Sequence, residues 1–264
     1  MTKVETIIDR IEKFAPLSIA MTNDPTGFQL GRRDQEVKKC LVTLDVRPEV
    51  VDEAIKIGAQ MIFSHHPLVF HSIRQLDLAD PQNAMYAQLF KHDISVYSAH
   101  TNADKATGGM DDWLSERLGL MDVQGLFKDE DGVFLGRKGK LPQTLKPVAF
   151  AEYVKQKLQL QGVKLITSSH DRPIQTVGLV GGDGNKFYIE AVKAGLDAYI
   201  TGDVYYHTAH DMKAYGLTVV DAGHYIESIF KFKMTENLVK WGQEENWSVS
   251  FVPSKISTDP FEFI

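Results

Sequence analysis

The chain is poor in cysteine and has no long run of apolar residues. Its single cysteine, Cys40, lies in the apolar run Cys40–Leu44, which predicts a small buried side chain rather than a reactive thiol. A lone cysteine excludes an intramolecular disulfide and fits a reducing compartment. No apolar run approaches the roughly 20 residues that a membrane span needs, and the acid-containing start Met1–Glu5 is unlike a secretory signal. We therefore expect a cytoplasmic protein with no membrane contact.

The sequence also lacks an excess of positive charge. Lysine and arginine together number 29 against 35 aspartate and glutamate residues, so the formal net charge is −6. Proteins that bind a nucleic-acid backbone usually present a basic face. The acidic balance therefore makes nucleic-acid binding the least favoured of the functions considered for this chain.

Two common catalytic motifs are absent. The chain has no Gly-x-Ser-x-Gly and gives Cys40 no supporting context, which counts against a serine or cysteine hydrolase. The segment Gly181–Gly184 follows a predicted strand and resembles a phosphate-binding loop, because backbone amides at a helix start attract anions. It lacks the Gly-Lys-Ser/Thr of a P-loop, so a tight strand-to-helix turn is the favoured interpretation.

What the sequence does contain is a regular alternation of predicted strands and helices. Its 264 residues are 43% hydrophobic, which is ordinary for a globular protein. Short apolar runs such as Met61–Ser64 alternate with helical stripes such as Val4–Phe14. This alternation is typical of an α/β architecture.

An internal duplication is also visible. The segment Glu53–Ser64 matches Glu190–Thr201 in register at Glu, Ala, Lys and Gly, and both run helix, glycine, strand. We predict two α/β repeats joined by a linker rich in Gly, Lys, Asp and Pro that holds a short hairpin. The predicted bounds are 1–121 for the first repeat, 122–147 for the linker and 148–264 for the second, whose C-terminal part returns to a shared metal cleft.

A pair of adjacent histidines ends one predicted strand. The run Met61–Ser64 stops at His65 and His66, and Pro67 prevents a helix from following directly. In open α/β sheets, ligands bind at the carboxyl ends of the strands, and imidazole is the commonest protein ligand for metals. Because neighbouring side chains of an extended chain point to opposite faces, each imidazole would serve a different ion. Taken alone, the pair is equally consistent with exposed loop histidines.

Ligand-type side chains also follow three other predicted strands. If the chain is duplicated, Asp104 and Glu227 occupy equivalent positions in the two repeats. His224 lies three residues before Glu227, on the same face of a helix. Imidazoles that each hold one ion and a carboxylate that bridges two are usual in a dinuclear hydrolytic site. Taken singly, Asp104 and Asp203 are better explained as caps or turn acids. The full set at these strand ends is His100, Asp104, Asp203, His207, His224 and Glu227.

Four segments resemble the signature segments of the NIF-three-like family, the homologues of a type 2 GTP cyclohydrolase I. They are Ser64–Phe70, His100–Asp104, Thr201–His207 and Asp221–His224, and they occur in the family's order. The resemblance covers essentially the whole chain and implies a fold of two intertwined α/β repeats with mixed sheets. It also implies a ring-shaped homohexamer with dinuclear metal sites facing an internal cavity.

The resemblance implies a role for each matching position. One divalent ion would be held by His65, Asp104 and Glu227, and a second by His66, His224 and Glu227. Either of two further histidines would orient a ligand or transfer a proton, namely His207 and His100.

The chain departs from the family pattern in two places. Many members carry the second acid four residues after the histidine, whereas Glu227 follows His224 by three. The usual Trp-Asp-Asn-x-Gly-Leu segment is altered to Thr22–Phe28, so the family's substrate contacts from this segment are not carried over.

Two functions follow from these residues. The first is a dinuclear metal-dependent hydrolase of a purine nucleotide, with GTP as the substrate that the resemblance implies and a metal-bound hydroxide as the nucleophile. The alternative is a non-catalytic metal-binding oligomer that acts as a regulatory or scaffold protein. Imidazole and carboxylate suit Zn, Fe, Mn and Ni alike, so the sequence does not select the metal.

Overall fold

The computed structural model describes every residue from Met1 to Ile264 and divides the chain into two compact units. The first unit contains Met1–Ala106 and Ser228–Pro260, and the second contains Thr107–Glu227 and Phe261–Ile264. The chain therefore leaves the first unit before its midpoint and returns to it for the last long helix. The repeat boundaries that we placed at residues 121 and 147 stay a prediction.

Nine α-helices and eleven β-strands alternate along the chain. The helices are α1 (Val4–Phe14), α2 (Pro48–Ile57), α3 (Pro81–Lys91), α4 (Thr101–Lys105), α5 (Met110–Leu118), α6 (Pro147–Leu158), α7 (Tyr188–Lys193), α8 (Tyr206–Ala214) and α9 (Ile229–Glu244). The strands are β1 (Gly27–Leu30), β2 (Lys39–Thr43), β3 (Met61–Ser64), β4 (Ser95–Ser98), β5 (Met121–Lys128), β6 (Phe134–Leu145), β7 (Lys164–Ile166), β8 (Ile174–Leu179), β9 (Ala198–Thr201), β10 (Thr218–Asp221) and β11 (Ser250–Pro253). Short 3₁₀ turns lie at Leu17–Ile19, Asn185–Phe187 and His224–Ser228.

The first unit is built on a five-stranded sheet in the order β1-β4-β3-β2-β11. Four of the strands are parallel, and β1 runs antiparallel along the β4 edge. All residues of β3 and β4 are buried, which is typical of parallel strands covered on both faces. The carboxyl ends of these two central strands lead directly into His65 and His100, so the sheet itself brings the two segments together.

Helices supply the apolar cover of this sheet. The predicted stripe of α1 is buried at Val4, Ile7, Ile8 and Ile11. Cys40 is fully buried as predicted, and burial raises the pKa of its thiol far above its ordinary value. The core between the sheet and the helices α2 and α3 contains Leu41, Val50, Ala54, Ile62, Met85, Leu89 and Val96.

The second unit is built on a six-stranded sheet in the order β5-β6-β8-β9-β10-β7. Strands β8, β9 and β10 are parallel, whereas β7 and the β5–β6 hairpin add antiparallel edges. The short hairpin expected around Val133–Arg137 is in fact a long one, with strands of 8 and 12 residues. Five of the eight residues of β5 are exposed, among them the apolar Met121 and Val123, and β5 lies at the edge of the sheet.

The duplicated segment occupies the same place in both sheets. Helix α2 ends at Gly58 (φ 67°) and leads into β3, and α7 is followed by Gly195 (φ 68°), which leads into β9. Each of these strands lies between two parallel neighbours. The predicted α/β class with mixed sheets is confirmed. None of the nine helices combines the length and apolar character that crossing a bilayer requires.

Candidate metal centre

Three histidine rings form a cluster at the carboxyl ends of β3 and β4. The ring centroids of His65 and His66 are 4.9 Å apart, and that of His100 lies 5.2 Å from the first and 5.6 Å from the second. One ring nitrogen from each histidine lies within 4.8 Å of the others. Strand β3 ends at Ser64, so both histidines lie just beyond it, and the assignment of their rings to different ions stays a prediction.

The backbone around the pair is held by the neighbouring strand ends. The amides of His65 and His66 donate to the carbonyl of Leu44 at 3.2 and 3.0 Å. The hydroxyls of Ser64 and Ser98 both donate to the carbonyl of His66, at 2.8 and 3.2 Å. Each ring therefore leaves a fixed backbone position, which a preorganised ligand set requires.

His65 is completely buried and faces a buried carboxylate. Its Nδ1 lies 2.8 Å from the carbonyl oxygen of Ala99, and a carbonyl can only accept, so the neutral ring carries its proton on Nδ1. Its Nε2 then directs a lone pair toward Asp104 Oδ1 at 3.5 Å. Two electron-pair donors at this separation suit a cation. Asp104 lies on the short helix α4 and is 8% exposed.

Two aspartates orient the other rings of the cluster. Asp45 Oδ1 lies 2.7 Å from Nδ1 of His66, and Asp24 Oδ1 lies 2.8 Å from Nδ1 of His100. Asp24 also accepts hydrogen bonds from the backbone amide and the hydroxyl of Thr101. Burial acts to raise the pKa of both carboxyls, but the hydrogen bonds and the facing imidazoles outweigh it, so both pKa values are lowered.

Neither aspartate was singled out from the sequence. Asp45 lies two residues after the end of strand β2 at Thr43. Asp24 lies within Thr22–Phe28, the segment that departs from the family pattern, and it nevertheless contacts the cluster through His100. The turn chemistry of Asn23, Asp24 and Pro25 was the available signal, but a turn does not indicate what its side chain meets.

The second unit carries its own imidazole and carboxylate pair. His224 and Glu227 belong to one 3₁₀ turn, and His224 Nε2 lies 3.2 Å from Glu227 Oε2. Asp203 Oδ2 lies 2.7 Å from Nδ1 of the same ring, and Asp203 adopts the left-handed φ of 52° to reach it. Asp203 is thus a partner of His224 rather than a helix cap, and Glu227 is only 3% exposed.

A glycine loop packs against this pair. Gly182 has φ 55°, and a β-carbon added to it would lie 2.6 Å from Glu227 Oε1 and 3.0 Å from His224 Nε2. The backbone of Gly181 approaches the same carboxylate. The glycine-rich stretch after β8 is therefore a tight turn, as favoured from the sequence, and its small residues make room for Glu227 and His224.

A buried aspartate holds this loop in place. Asp111, at the start of α5, accepts the amide of Gly181 at 2.9 Å and the amide of Gly136 at 2.8 Å. Burial is the main cause that raises the pKa of Asp111 to about 7, against the opposing hydrogen bonds and the nearby Arg137. The sequence did not reveal this residue, because an acid in the first turn of a helix is ordinary.

His207 takes a different position. It lies on α8 with an exposed side chain, and its ring packs against Tyr206 at a centroid distance of 5.4 Å. The structure thus brings His65, His66, His100 and Asp104 together in the first unit, and His224 and Glu227 together in the second. The roles expected for His207 and His100 stay predictions.

The pair in the second unit makes the stability of the metal-free protein dependent on pH. Burial lowers the pKa of His224, but Glu227 and Asp203 outweigh it and raise this pKa to about 10. A raised folded-state pKa stabilises the fold fully below the unfolded value of 6.5, and this contribution is lost as the pH rises toward about 10. A divalent ion that binds His224 must displace the proton that this ring gains on becoming charged.

We therefore expect the metal-free protein to lose free energy of unfolding between pH 6.5 and pH 10. In His224→Gln this loss should be smaller, whereas in the exposed-site control His170→Gln it should be unchanged. Urea unfolding in the presence of a chelator measures both. Equal pH slopes for His224→Gln and wild type would contradict the assignment.

The donor set fits a divalent metal ion. Histidines that bind metals almost always hold their other ring nitrogen against a carboxylate or a carbonyl, which sets the tautomer and the ring direction. His65, His66, His100 and His224 all have this arrangement on Nδ1. Imidazole nitrogen and carboxylate oxygen are ligands for Zn, Fe, Mn and Ni.

These observations define an α/β protein with two mixed sheets whose strand ends carry histidines and carboxylates that could hold a metal ion. The chain belongs to the Duf34/NIF3 (NGG1p interacting factor 3) family, whose family model matches residues 2–260. This confirms the family resemblance of the four sequence segments.

Relatives match over nearly the full length. A Streptococcus pneumoniae protein named GTP cyclohydrolase 1 type 2 homolog is 39% identical over 262 residues, and the match covers 98% of each chain. A Lactococcus lactis protein of the same name is 37% identical over 261 residues, with 98% of each chain covered. The crystal structure of a Bacillus cereus protein related to NIF3 matches at a TM-score of 0.94 and 28% identity over 100% of both chains.

Proposed function

We propose that this chain binds two divalent metal ions and acts as a metal-dependent hydrolase of a purine nucleotide. The observation that carries the metal-binding part is the orientation of the histidines. Three of them, His66, His100 and His224, place Nδ1 against an aspartate at 2.7 to 2.8 Å. This pairing keeps the proton on Nδ1 and reserves Nε2 for a ligand.

Each unit contributes one ligand set to the proposal. The first unit offers His65, His66 and Asp104, and the second offers His224 and Glu227. A bound divalent ion would lower the pKa of a coordinated water, which supplies a nucleophile at neutral pH. The chain's own part would be to hold the ligand tautomers and to manage protons, and we assign to the hydrogen-bonded His100–Asp24 pair the role of accepting or donating one.

The purine-nucleotide substrate rests on the names of the relatives. Proteins that are 39% and 37% identical to this chain are named homologues of a GTP cyclohydrolase. Fold and family do not fix a reaction, so GTP is the first substrate to test. The homohexamer implied by the family resemblance remains a proposal of the same kind, and light scattering of the purified protein tests it.

Metal analysis tests the ligand sets. We expect about two ions per chain in the wild type, a loss of bound metal in His65→Ala and in Glu227→Ala, and full occupancy in the exposed-histidine control His170→Ala. The two variants remove one proposed ligand from each unit. Full metal occupancy in both variants would contradict the ligand assignment.

Turnover is tested with the metal-loaded protein and GTP. We expect product whose formation requires the metal and is lost in Glu227→Ala, followed by pterin fluorescence after dephosphorylation. Zn, Fe, Mn and Ni are tried in turn because the ligands suit all four. Stable metal binding without product from any of them would instead favour the alternative, a metal-binding protein with a regulatory or scaffold role.

A further inference from the structure

The C-terminal segment of the chain reaches the carboxylate that orients His66. The hydroxyl of Thr258 donates a hydrogen bond to Asp45 Oδ2, across a separation of 213 residues in the sequence. The other oxygen of the same carboxylate, Oδ1, lies 2.7 Å from His66 Nδ1. Thr258, Asp45 and His66 thus form a continuous chain of hydrogen bonds in the first unit.

Several contacts fix the course of this segment. The amide of Ser254 donates to the carbonyl of Val42 at 2.7 Å, which continues the pairing of β11 with β2. The hydroxyl of Ser254 and the amide of Lys255 both donate to the carboxylate of Glu53, at 2.5 and 3.0 Å. Thr258 therefore approaches Asp45 from a segment that is itself anchored.

A second anchor follows directly. Lys231 on α9 donates from Nζ to the carbonyl of Ile256 at 3.2 Å, and the Ile256 side chain packs against the core of the first unit. Only one residue separates Ile256 from Thr258, which leaves little slack. The hydroxyl of Thr258 is consequently held at Asp45 by the structure on its N-terminal side rather than by a chance contact of a loose terminus.

We propose that Thr258 is a positioning residue for His66, an inference that rests on the proposed metal-binding function. A carboxylate can rotate about its Cβ–Cγ bond, and a donor on each oxygen limits that rotation. With Oδ2 occupied by Thr258, Oδ1 stays against Nδ1 of His66 and keeps the proton on that nitrogen. Nε2 of His66 is then held in one direction as a ligand.

The expected size of the effect follows from the position of Thr258 in this chain. Groups that hydrogen-bond a metal ligand typically change metal affinity by about 10- to 100-fold when they are removed. Thr258 does not contact His66 directly and acts through one further hydrogen bond, the one to Asp45. We therefore expect the lower end of that range, about 10-fold.

The test compares three variants of the full chain. Thr258→Val keeps the shape of the side chain and removes the hydroxyl, Thr258→Ser restores the hydroxyl, and Ser257→Ala changes an exposed neighbour. Zn²⁺ affinity measured by competition with a chelating dye should fall about 10-fold in Thr258→Val. It should stay near the wild-type value in Thr258→Ser and Ser257→Ala, with similar melting temperatures throughout.

A second measurement does not depend on the metal. In the metal-free protein, the ¹⁵N resonances of the His66 ring, assigned by their loss in His66→Gln, report the proton on Nδ1. They should shift in Thr258→Val and return in Thr258→Ser. Failure of the wild type to bind Zn²⁺ would overturn the proposed function alone. Unchanged ring resonances and unchanged affinity in Thr258→Val would overturn the role of Thr258.

Discussion

Replacing Gly182 with alanine should strongly weaken the metal binding proposed for His224 and Glu227. The added methyl group would lie 2.6 Å from Glu227 Oε1 and 3.0 Å from His224 Nε2, which is closer than non-bonded atoms approach. The left-handed φ of 55° adds backbone strain of about 1 to 3 kcal/mol for a residue other than glycine. Glu227 is buried, so its carboxylate has little room to move away from the added methyl group.

A matched control separates the contact from the strain. Gly195 has a similar φ of 68°, but a β-carbon there would meet no atom within 4 Å. Gly195→Ala should therefore lose stability without losing metal. In Gly182→Ala we expect an affinity loss of about 100-fold, as when a group around a metal ligand is displaced. Elemental analysis measures the bound metal in both variants, and calorimetric titration measures their metal affinity. Equal affinities in the two variants would refute the packing argument.

Replacing Asp111 with alanine should cause a large loss in the free energy of unfolding. The backbone amides of Gly136 and Gly181 would both lose their acceptor in a place that water does not reach. An unsatisfied buried group costs about 1 to 3 kcal/mol. Removal of the buried carboxylate itself recovers part of this cost, so we expect a net loss of about 3 kcal/mol in the free energy of unfolding.

Asp197 provides the control for this prediction. Its Oδ2 also accepts two backbone amides, from Gln175 at 3.0 Å and Thr176 at 2.8 Å, but the residue is only partly buried. Water can replace the lost acceptor there, so Asp197→Ala should cost about 1 kcal/mol. Urea unfolding of both variants at pH 7 measures the difference. A larger loss in Asp197→Ala than in Asp111→Ala would contradict the role of burial.

Much of the first unit could be predicted from local sequence signals. The bounds of α1, α2 and β3 agree with the helical stripe, the Pro48 start with its Gly58 stop, and the short apolar run. Helix α3 begins at Pro81, where the carboxylate of Asp80 caps it by accepting the amides of Gln82 and Asn83.

The site was only partly predictable for a physical reason. Histidines and acids such as His65 and Asp104 can be recognised from the sequence because they follow predicted strands, and ligands bind at the strand ends of such sheets. Asp24, Asp45 and Asp111 act through hydrogen bonds to residues that are distant in the sequence. No periodicity or motif marks such a partner, since only the folded backbone brings the two groups together.

The interrupted first unit has a consequence for synthesis on the ribosome. Residues 107–227 of the second unit form one uninterrupted stretch, whereas the first unit needs α9 and β11 from Ser228–Pro260. The sheet edge formed by β2 therefore stays unpaired until Ser250–Pro253 have been synthesised and β11 can pair with it. Nascent chains complete domains from contiguous sequence earliest. Until then the nascent first unit is open to premature strand pairing with other chains, and a translational pause before codon 250 would prolong that exposure.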